Sequence, residues 1–340
     1  MTQEELKLLE ELELVRKKNF LACEAVAGYL NEFPTLVTRD IMKEIGAQLD
    51  RDEERAFAIF LANALSDDEE IIKILEKDFF RKSIKKLNAE DYKSDPYYKN
   101  IKIPTKKLKS WSLGYQSYKP YEGFIYKDIT VEKDYLEIPQ IGFFSETFSF
   151  PTVFENGVEW MAIKPNEIET MKPHIQKMVG DVCVFGLGMG YFAYMASQRE
   201  LVSSVTIVER DENVIKLFEK NILPQFPSKH KITIVKSDAF EFVIKNKNSE
   251  KFSHAFVDLW HDAGDGLPLY VRMKMLEHEF PKTRFSYWIE DSILSLARWK
   301  IFGDSYKQIK EGKLDVSYKE LLYSISNEGI KSKIKQLLAK

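Results

Sequence analysis

The chain has 340 residues, 44% of them hydrophobic and 30% charged, and its 50 Lys and Arg residues nearly balance 53 Asp and Glu residues. This composition is typical of a folded globular protein, and it disfavours both disorder and a generally basic nucleic-acid-binding surface. At about 100–200 residues per domain, the length predicts two or three domains.

The two cysteines, Cys23 and Cys183, lie far apart and provide neither a disulfide framework nor a C-x-x-C metal pair. This predicts a reducing, intracellular environment. The N-terminal stretch MTQEELKLLEELELVRKK is acidic and lacks the basic start of a targeting signal. The longest charge-free apolar stretch, residues 182–196, is shorter than the ~18–20 residues of a membrane helix. We therefore expect a cytoplasmic protein.

Residues 1–90 are predicted to form a helical N-terminal module, because apolar residues recur there at helical spacing. The first helical face contains Leu8, Leu12, Val15, Ala22, Val26 and Tyr29. Residues 91–165 are rich in aromatic residues, Thr and Ile with scattered Gly and Pro. They predict a small β-rich segment that we expect to contribute a substrate-binding or lid region. Residues 301–340 are Lys-rich and predict a C-terminal helical tail.

Residues 166–300 alternate short β-branched runs with segments of helical length. The runs are DVCVF, SVTIV, KITIV, SHAFVDL and RFSYWI. Such alternation is typical of a parallel sheet with crossover helices. The predicted fold class is therefore α/β, with a Rossmann-like, mostly parallel sheet preceded by the helical module and the small β-rich segment.

The first of these strands runs into a glycine-rich turn. In VCVFGLGMGYFAYMA, Gly186, Gly188 and Gly190 separate a buried strand from the next helix. Glycines let the backbone approach a ligand, and the helix N-terminus supplies free N–H groups. The alternative is that the glycines serve only the packing of a tight turn. Gly188, Gly190 and Ala193 also fit the G-x-G-x-x-A fingerprint of a dinucleotide site, with Glu209 on the ribose.

Acidic residues follow the next three strands. Glu209 ends the second strand, where it can accept hydrogen bonds from ribose hydroxyls, and Asp238 ends the third, where it can bind an adenine amino group. Asp258, His261 and Asp262 follow the fourth strand. Because ligands of open α/β sheets bind at the carboxyl ends of the strands, we expect these side chains to lie together.

These motifs resemble those of the class I S-adenosylmethionine-dependent methyltransferases, and within that group the spermidine-synthase-like branch. The resemblance covers residues 158–290, and the branch is indicated by ENGVEWMAIKPNEIETMKPHI ahead of the glycine loop. It implies that S-adenosylmethionine is the cofactor. The residues that would hold it are Gly186, Gly188 and Gly190 at the methionine part, Glu209 at the ribose, and Asp238 and Ala239 at the adenine.

The sequence departs from the branch in its acidic residues. Aminopropyltransferases of this branch have an acid in the glycine loop where Met189 stands, and acids spaced D-x-x-D where Asp258 and Asp262 are four positions apart. FVDLWHD replaces the Asn-Pro-Pro-aromatic motif of base methyltransferases. The methyltransferase sheet usually closes with an antiparallel hairpin, and no clear strands for one follow here. These departures disfavour polyamine synthesis and base methylation.

Catalysis is predicted to lie with Asp258, His261 and Asp262. Methyl transfer from a sulfonium needs a nucleophile held in line and, for an amine or hydroxyl, a base. A histidine can accept a proton near neutral pH, and carboxylates on either side would orient it. In the helix before the glycine loop, Glu167 and Glu169 cannot share one face, and we expect Glu169 to reach the cofactor.

Three functions remain open from the sequence. The first is an S-adenosylmethionine-dependent methyltransferase acting on a small molecule or protein. The second is an aminopropyltransferase acting on a polyamine-like acceptor, and the third is a non-catalytic nucleotide-binding assembly protein. The near-neutral charge predicts a small-molecule or peptide partner rather than nucleic acid or membrane, and the helical N-terminus is available for homo-oligomer formation. No histidine has ligand-spaced companions, so no metal is predicted.

Overall fold

The computed structural model describes residues 2–49 and 52–336 of the chain. Met1, Asp50 and Arg51 of the predicted N-terminal module lie outside the described residues, as do residues 337–340 of the predicted C-terminal helical tail. Within the described part, no helix is long and apolar enough to cross a membrane.

Helices form the N-terminal quarter of the chain, as predicted, and return between and after the strands. The α-helices are α1 (Gln3–Glu32), α2 (Arg39–Leu49), α3 (Glu53–Leu65), α4 (Glu69–Ile74), α5 (Arg81–Ser83), α6 (Ala89–Lys93), α7 (Pro96–Asn100), α8 (Pro165–Ile175), α9 (Tyr191–Ser197), α10 (Glu212–Asn221), α11 (Ala239–Lys245), α12 (Ala263–Leu276), α13 (Glu290–Lys310), α14 (Tyr318–Ile325) and α15 (Asn327–Gln336). A π-helical segment, Leu75–Phe80, joins α4 to α5, and short 3₁₀ turns occupy Leu223–Gln225, Lys229–Lys231 and Glu277–Glu279.

The strands lie in two groups along the chain. The first group is β1 (Lys85–Lys86), β2 (Lys106–Leu108), β3 (Trp111–Tyr118), β4 (Phe124–Val131), β5 (Glu137–Phe143), β6 (Phe148–Glu155) and β7 (Val158–Ala162). The second group is β8 (Gly180–Phe185), β9 (Val202–Glu209), β10 (Ile232–Lys236), β11 (His254–Val257) and β12 (Arg284–Tyr287). Strands β2–β7 lie in the segment predicted to be β-rich.

Strands β8–β12 form one five-stranded sheet in the order β10-β9-β8-β11-β12, and every adjacent pair is parallel. The predicted parallel sheet is therefore confirmed. The chain runs from β8 outward to β9 and β10, and then returns to β11 on the other side of β8. In open α/β sheets such a reversal leaves a crevice at the carboxyl ends of the strands. Strand β12 leads into α13 and the segment LDVSY forms no strand, so the described part of this sheet lacks a closing hairpin.

The centre of this sheet is buried on both faces. The four residues from Val182 to Phe185 in β8 are buried, and so are the four residues of β11. Continuous burial rather than alternation is typical of parallel strands covered on both sides. Each buried aliphatic or aromatic side chain of this kind contributes about 1.5–3 kcal/mol. This packing fixes where the residues at the strand ends lie.

Two smaller sheets are present in the described chain. In the sheet β1-β5-β4, β1 is parallel to β5 and β4 is antiparallel to it. The second sheet has the order β2-β3-β6-β7, with antiparallel pairs β2/β3 and β6/β7. In the β6/β7 hairpin, Asn156 and Gly157 have φ of 52° and 83°, the left-handed conformation at both positions that a type I′ turn requires.

The chain groups into two compact units, each made of separate stretches. Unit 1 contains the described residues of Met1–Ala89, Ser117–Ser149 and Ala297–Gly329, and unit 2 those of Glu90–Gln116, Phe150–Leu296 and Ile330–Lys340. This grouping differs from the four consecutive segments 1–90, 91–165, 166–300 and 301–340 that composition predicts. Composition does not show pairing between distant stretches. In unit 1, for example, the Asn19 side chain donates to the Tyr135 carbonyl at 2.9 Å and accepts from the Glu137 N–H at 3.0 Å.

Unit 1 buries one face of α1. Val26 and Tyr29 pack into its core, in agreement with the predicted helical spacing. Nearer the N-terminus, Leu9 is fully buried whereas Leu8 is 37% exposed. The buried face therefore passes through Leu9 rather than the predicted Leu8, because a step of three residues back from the buried Leu12 reaches Leu9.

Unit 1 also contains a buried cation. Arg298 is only 1% exposed, and its guanidinium donates hydrogen bonds to the Glu137 carboxylate, the Asn327 side chain and the Ile325 carbonyl. Its Cζ atom lies 5.6 Å from the centre of the Tyr135 ring. A buried charge is tolerated when its hydrogen bonds are satisfied in this way.

We predict that Arg298→Ala lowers the stability of the protein by about 3–5 kcal/mol, because it leaves the Glu137 carboxylate buried without its cation. The measurement is urea unfolding followed by circular dichroism. Lys300→Ala is the matched control, since Lys300 is exposed on the same helix and surface substitutions change stability by less than about 0.5 kcal/mol. Equal urea midpoints for the two variants would show that the Arg298 cluster contributes nothing.

Candidate active site

Unit 2 contains a cavity of about 430 Å³ at the carboxyl edge of the parallel sheet. The glycine loop after β8, the ends of β9, β10 and β11 and the first turn of α8 form one side of it. Residues of β3, β6 and β7 form another side. The cavity therefore occupies the crevice that the reversal of strand order between β8 and β11 creates.

Most of the residues predicted from the sequence to form the site line this cavity. Those that line it are Gly186, Gly188, Glu209, Asp238, Ala239, Asp258 and His261. Those that do not are Gly190, Asp262 and Glu169. Their assignment to cofactor binding or catalysis remains a prediction, and the following geometry bears on it.

The fold itself requires glycine at positions of the glycine loop. Gly186 has a φ of +100°, and a Cβ there would lie 2.0 Å from the carbonyl oxygen of Asp258. Gly190 has a φ of +74° and precedes α9, and a Cβ there would lie 2.4 Å from the Phe218 ring. Packing alone therefore explains Gly190, which does not face the cavity, whereas Gly186 both packs against the end of β11 and lines the cavity.

Glu209 and Asp238 are held by backbone N–H groups. Glu209 accepts from the Leu187 N–H at 3.2 Å and from the Asp211 N–H at 2.8 Å, so it ties the glycine loop to the end of β9. Asp238 caps α11, and its Oδ1 accepts from two N–H groups in the first turn of that helix. Carboxylate oxygens can accept further hydrogen bonds. Both groups can therefore still receive hydroxyl or amino donors from a ligand.

Glu167, rather than the predicted Glu169, lines the cavity beside Asp258. Glu167 lies in the first turn of α8 and is only 6% exposed. Burial, and then repulsion from the Asp258 carboxylate, raise the pKa of Glu167 well above its ordinary value. Burial raises the pKa of Asp258 to about 7. Among the described residues, no hydrogen bond or ion pair to either carboxyl group is recorded.

Asp262 has a structural task. Its side chain caps α12 by accepting from the N–H groups of Gly264 at 2.6 Å and Asp265 at 3.1 Å. Asp265 in return accepts from the Asp262 N–H at 3.0 Å and from the His261 N–H at 3.2 Å, which completes a capping box. The neighbouring carboxylates thus bind backbone groups and not the His261 ring. That ring instead packs edge-on against Trp160, with ring centres 4.3 Å apart.

Two buried polar atoms of the cavity lining have no hydrogen-bond partner within the described residues. They are the acceptor Asn166 Oδ1 and the donor Trp260 Nε1. Leaving such a group unpaired costs about 1–3 kcal/mol. A ligand with both donors and acceptors would satisfy them. Asn166 and Glu167 lie at the start of a helix and do not follow a strand, so they are not found among the residues at strand ends. The sequence feature that indicates their position is Pro165, which marks the start of α8.

The cavity is strongly acidic. Its lining contains two cationic side chains, Lys164 and Arg210, and the Lys164 Nζ already pairs with Glu159 at 2.7 Å. Against these stand eight carboxyl groups: Glu155, Glu159, Glu167, Glu209, Asp211, Asp238, Asp258 and Asp265. This surplus favours a cationic ligand and disfavours a pyrophosphate, which the dinucleotide alternative requires. In the described part of the chain, no group of three or more His, Cys, Asp and Glu residues could hold a metal ion.

Comparisons with known proteins give only distant likenesses. No family model and no curated protein sequence matches the chain. Spermidine synthase from Thermotoga maritima matches with a TM-score of 0.32 and 16% identity, over 44% of this chain and 55% of that one. Spermidine synthase in complex with the transition state analogue AdoDATO matches with a TM-score of 0.32 and 18% identity, over 47% of this chain and 55% of that one.

Precorrin 8W decarboxylase from Methanobacterium thermoautotrophicum matches with a TM-score of 0.26 and 23% identity, over 33% of this chain and 56% of that one. This chain thus spans only about half the length of each of these three structures. Likeness of this degree supports no conclusion about activity, which has to be argued from the cavity itself.

We predict that Gly186→Ala destabilises the protein by more than about 1–3 kcal/mol, because the added Cβ meets backbone and the residue must keep a left-handed conformation. Urea unfolding measures the change. Gly303→Ala is the matched control: no atom lies within 4 Å of its Cβ position in α13, so it should stabilise by about 0.5–1 kcal/mol. A stable Gly186→Ala protein would contradict the close approach of the loop to Asp258.

We predict that the gain in stability from Asp258→Asn grows with pH. In the unfolded chain this carboxyl ionises near its ordinary pKa of 3.8, but in the folded protein its pKa is about 7. The folded state thus binds more protons between these values, and wild-type stability falls as pH rises through them. From about pH 5 to about pH 8, the advantage of the variant should increase by on the order of 2 kcal/mol.

Thermal or urea unfolding of both proteins at the two pH values measures this difference. Asp304→Asn, at an exposed position in α13, is the matched control and should change stability equally at both. A pH-independent difference between wild type and Asp258→Asn would show that Asp258 is not held in a site that disfavours its charge.

Proposed function

We propose that this protein transfers an alkyl group from the sulfonium centre of an S-adenosyl compound to an amine. The observation that carries the proposal is the Glu167–Asp258 pair, whose carboxyl groups line the crevice and make no hydrogen bond or ion pair among the described residues, while the nearby Lys164 pairs with Glu159. Two neighbouring acids raise each other's pKa until a positive charge enters between them. A sulfonium or an ammonium group is such a charge.

The cavity lining supports an S-adenosyl ligand in particular. Glu209 would accept the ribose hydroxyls, Asp238 and Ala239 would contact the adenine, and the backbone at Gly186 and Gly188 would border the amino-acid part. When bound, S-adenosylmethionine supplies a methyl group on a positively charged sulfur. The unpaired Asn166 Oδ1 offers an acceptor to an ammonium group of either the donor or the acceptor.

Asp258 would move the proton in this reaction. An amine acceptor enters as an ammonium ion and must lose a proton before its nitrogen can attack. With a pKa of about 7 in the free protein, Asp258 is close to the value at which a general base works best at neutral pH. A cation bound beside it favours the carboxylate form, which then accepts the proton from the amine. The pKa of Glu167 is also raised in the free protein, so a bound cation would favour its ionised form as well, and the carboxylate would hold the cation in place.

A second candidate is aminopropyl transfer, and the charge of the cavity favours it. Decarboxylated S-adenosylmethionine has one more net positive charge than S-adenosylmethionine and no carboxylate that needs a cation. The loop position lacking an acid does not argue against this donor, because Met189 is fully buried and does not line the cavity. Its carbonyl accepts the Tyr97 hydroxyl at 2.7 Å. Glu167 and Asp258 offer the acids instead.

A thermal-shift panel tests the proposal and separates the candidates. We predict that S-adenosylmethionine, its decarboxylated form or S-adenosylhomocysteine raises the melting temperature, since a ligand at 100 times its Kd stabilises by about 2.7 kcal/mol. NAD should give no shift. Mass spectrometry of amines incubated with each donor then shows whether a methyl or an aminopropyl group is added. No shift with any S-adenosyl compound would refute the proposal and leave the non-catalytic alternative.

Glu167→Gln tests the acid pair directly. We predict about tenfold weaker binding of the charged donor, because one of the two carboxylates around the cation is lost, with little change for uncharged methylthioadenosine. Isothermal titration calorimetry measures both. Glu169→Gln, on the same helix but outside the cavity lining, is the matched control and should bind like wild type. An equal loss of affinity for the charged donor in the two variants would show that Glu167 does not bind the cation.

A further inference from the structure

Tryptophan is concentrated in the cavity. The chain has five tryptophans, and four of them line this one site: Trp111, Trp160, Trp260 and Trp288. An S-adenosyl donor needs one aromatic face at most for its adenine. The other tryptophan rings are therefore free to contact a second ligand.

Two of these rings form a corner in the part of the cavity lined by β3 and β7. Trp111 of β3 and Trp160 of β7 are nearly perpendicular, at 86°, with ring centres 5.6 Å apart. The Trp111 Nε1–H donates to the Asp211 carboxylate at 3.3 Å, which holds that ring in place. His261 packs against Trp160 from the other side. Trp160 is 39% exposed whereas Trp111 is 4% exposed, so a ligand would meet the corner through the Trp160 ring, with Trp111 as its support.

The surroundings of the corner are negative, and its rings have no cation of their own. Glu155 and Glu159 flank Trp160 on the β6/β7 hairpin, and both line the cavity. Within the described part of the chain, every recorded cation over an aromatic ring lies over Phe or Tyr and none over these tryptophans. Indole faces attract cations most strongly among the aromatic side chains, and nearby carboxylates add to this attraction.

We infer that the Trp111–Trp160 corner binds the acceptor, and that the acceptor is an alkylated amine, secondary or tertiary, rather than a primary one. This inference rests on the proposed function and specifies its substrate class. An alkylated ammonium has an apolar shell that packs on indole, and it leaves water more easily than a primary ammonium, which has more N–H groups to desolvate.

The chemistry of the step is balanced by the groups already described. The amine nitrogen forms a bond to the transferred carbon with its lone pair, and the carbon–sulfur bond breaks with its electrons staying on sulfur as a neutral thioether. A secondary or tertiary amine binds as its ammonium ion and first gives one proton to the Asp258 carboxylate, which frees the lone pair for attack. The secondary amine then leaves as a tertiary ammonium and the tertiary amine as a quaternary ammonium.

Calorimetry with simple cations tests the inference on the full chain at constant ionic strength. Tetramethylammonium should bind about tenfold more tightly than ammonium and than the uncharged tert-butanol. Trp160→Leu, which keeps an apolar side chain but removes the π-face, should weaken tetramethylammonium binding by about tenfold, and Trp160→Phe by about threefold or less. Trp299→Phe is the matched control, since Trp299 does not line the cavity.

Equal binding of ammonium and tetramethylammonium would overturn the inference, as would an undetectable affinity for tetramethylammonium or a Trp160→Leu variant that binds like wild type. The shift given by S-adenosylhomocysteine is measured on the same variants. If that shift persists while cation selectivity is absent, only the inference fails. If neither the wild-type protein nor any variant responds to S-adenosylmethionine, its decarboxylated form or S-adenosylhomocysteine, the proposed function fails, whatever the cations show.

Discussion

The candidate site depends on one electrostatic constraint, which is that Glu167 and Asp258 share a crevice in which neither carboxyl group has an ion pair among the described residues, because the nearby Lys164 pairs with Glu159. Burial opposes the charge on each carboxyl group, and for Glu167 the neighbouring acid opposes it further. A fold selected only for stability would replace one of these acids with an apolar residue or give the pair a cation. Retaining both makes the free protein less stable near neutral pH and leaves part of that free energy to be recovered when a cationic ligand binds.

The parallel sheet is what brings the two acids together. Asp258 follows β11, and its carbonyl oxygen lies so close to Gly186 that no side chain fits between them. Glu209 bonds the same loop from the end of β9. The loop is therefore clamped from both neighbouring strands, and α8 approaches it with Glu167 in its first turn.

The sequence was sufficient to predict the parts of the site that lie on strands of the parallel sheet. Five apolar runs separated by helices predict the sheet, and the residues after each run then fall at one edge, which places Gly186, Glu209, Asp238 and Asp258. The sequence predicts Glu169 as the side chain from α8, whereas Glu167 lines the cavity. Periodicity does not decide between them, because the choice depends on the rotation of one helix about its axis. The corner of Trp111 and Trp160 was not predicted, because it needs the pairing of strands from an antiparallel sheet.

Asp262 shows how a local rule can correct a functional prediction. Its position after a strand end suggested catalysis, but Asp262 and Asp265 have the three-residue spacing of a capping box, and the structure uses them in that way. The acids of this segment therefore differ in role. Asp258 remains available to a ligand, whereas Asp262 and Asp265 hydrogen-bond the backbone at the start of α12 and at His261. An acid that stands at capping-box spacing before a helix is thus a weaker candidate for a catalytic residue than one that directly follows a strand.

The cavity lining comes from two different sheets. Under the proposed function, the donor-binding residues follow the strands of the parallel sheet, whose positions are set by a core buried on both faces. Glu155, Glu159 and Trp160 instead lie on a two-stranded hairpin whose register is set by the Asn156–Gly157 turn. Met161 of the hairpin lies close to Gly188, and the Glu159 charge acts on Glu167, so the hairpin side chains that can change without disturbing the glycine loop or the acid pair are those at other positions. Under the proposed function, acceptor choice is therefore encoded in β3, β6 and β7, and the tryptophans there are the residues that distinguish one amine from another.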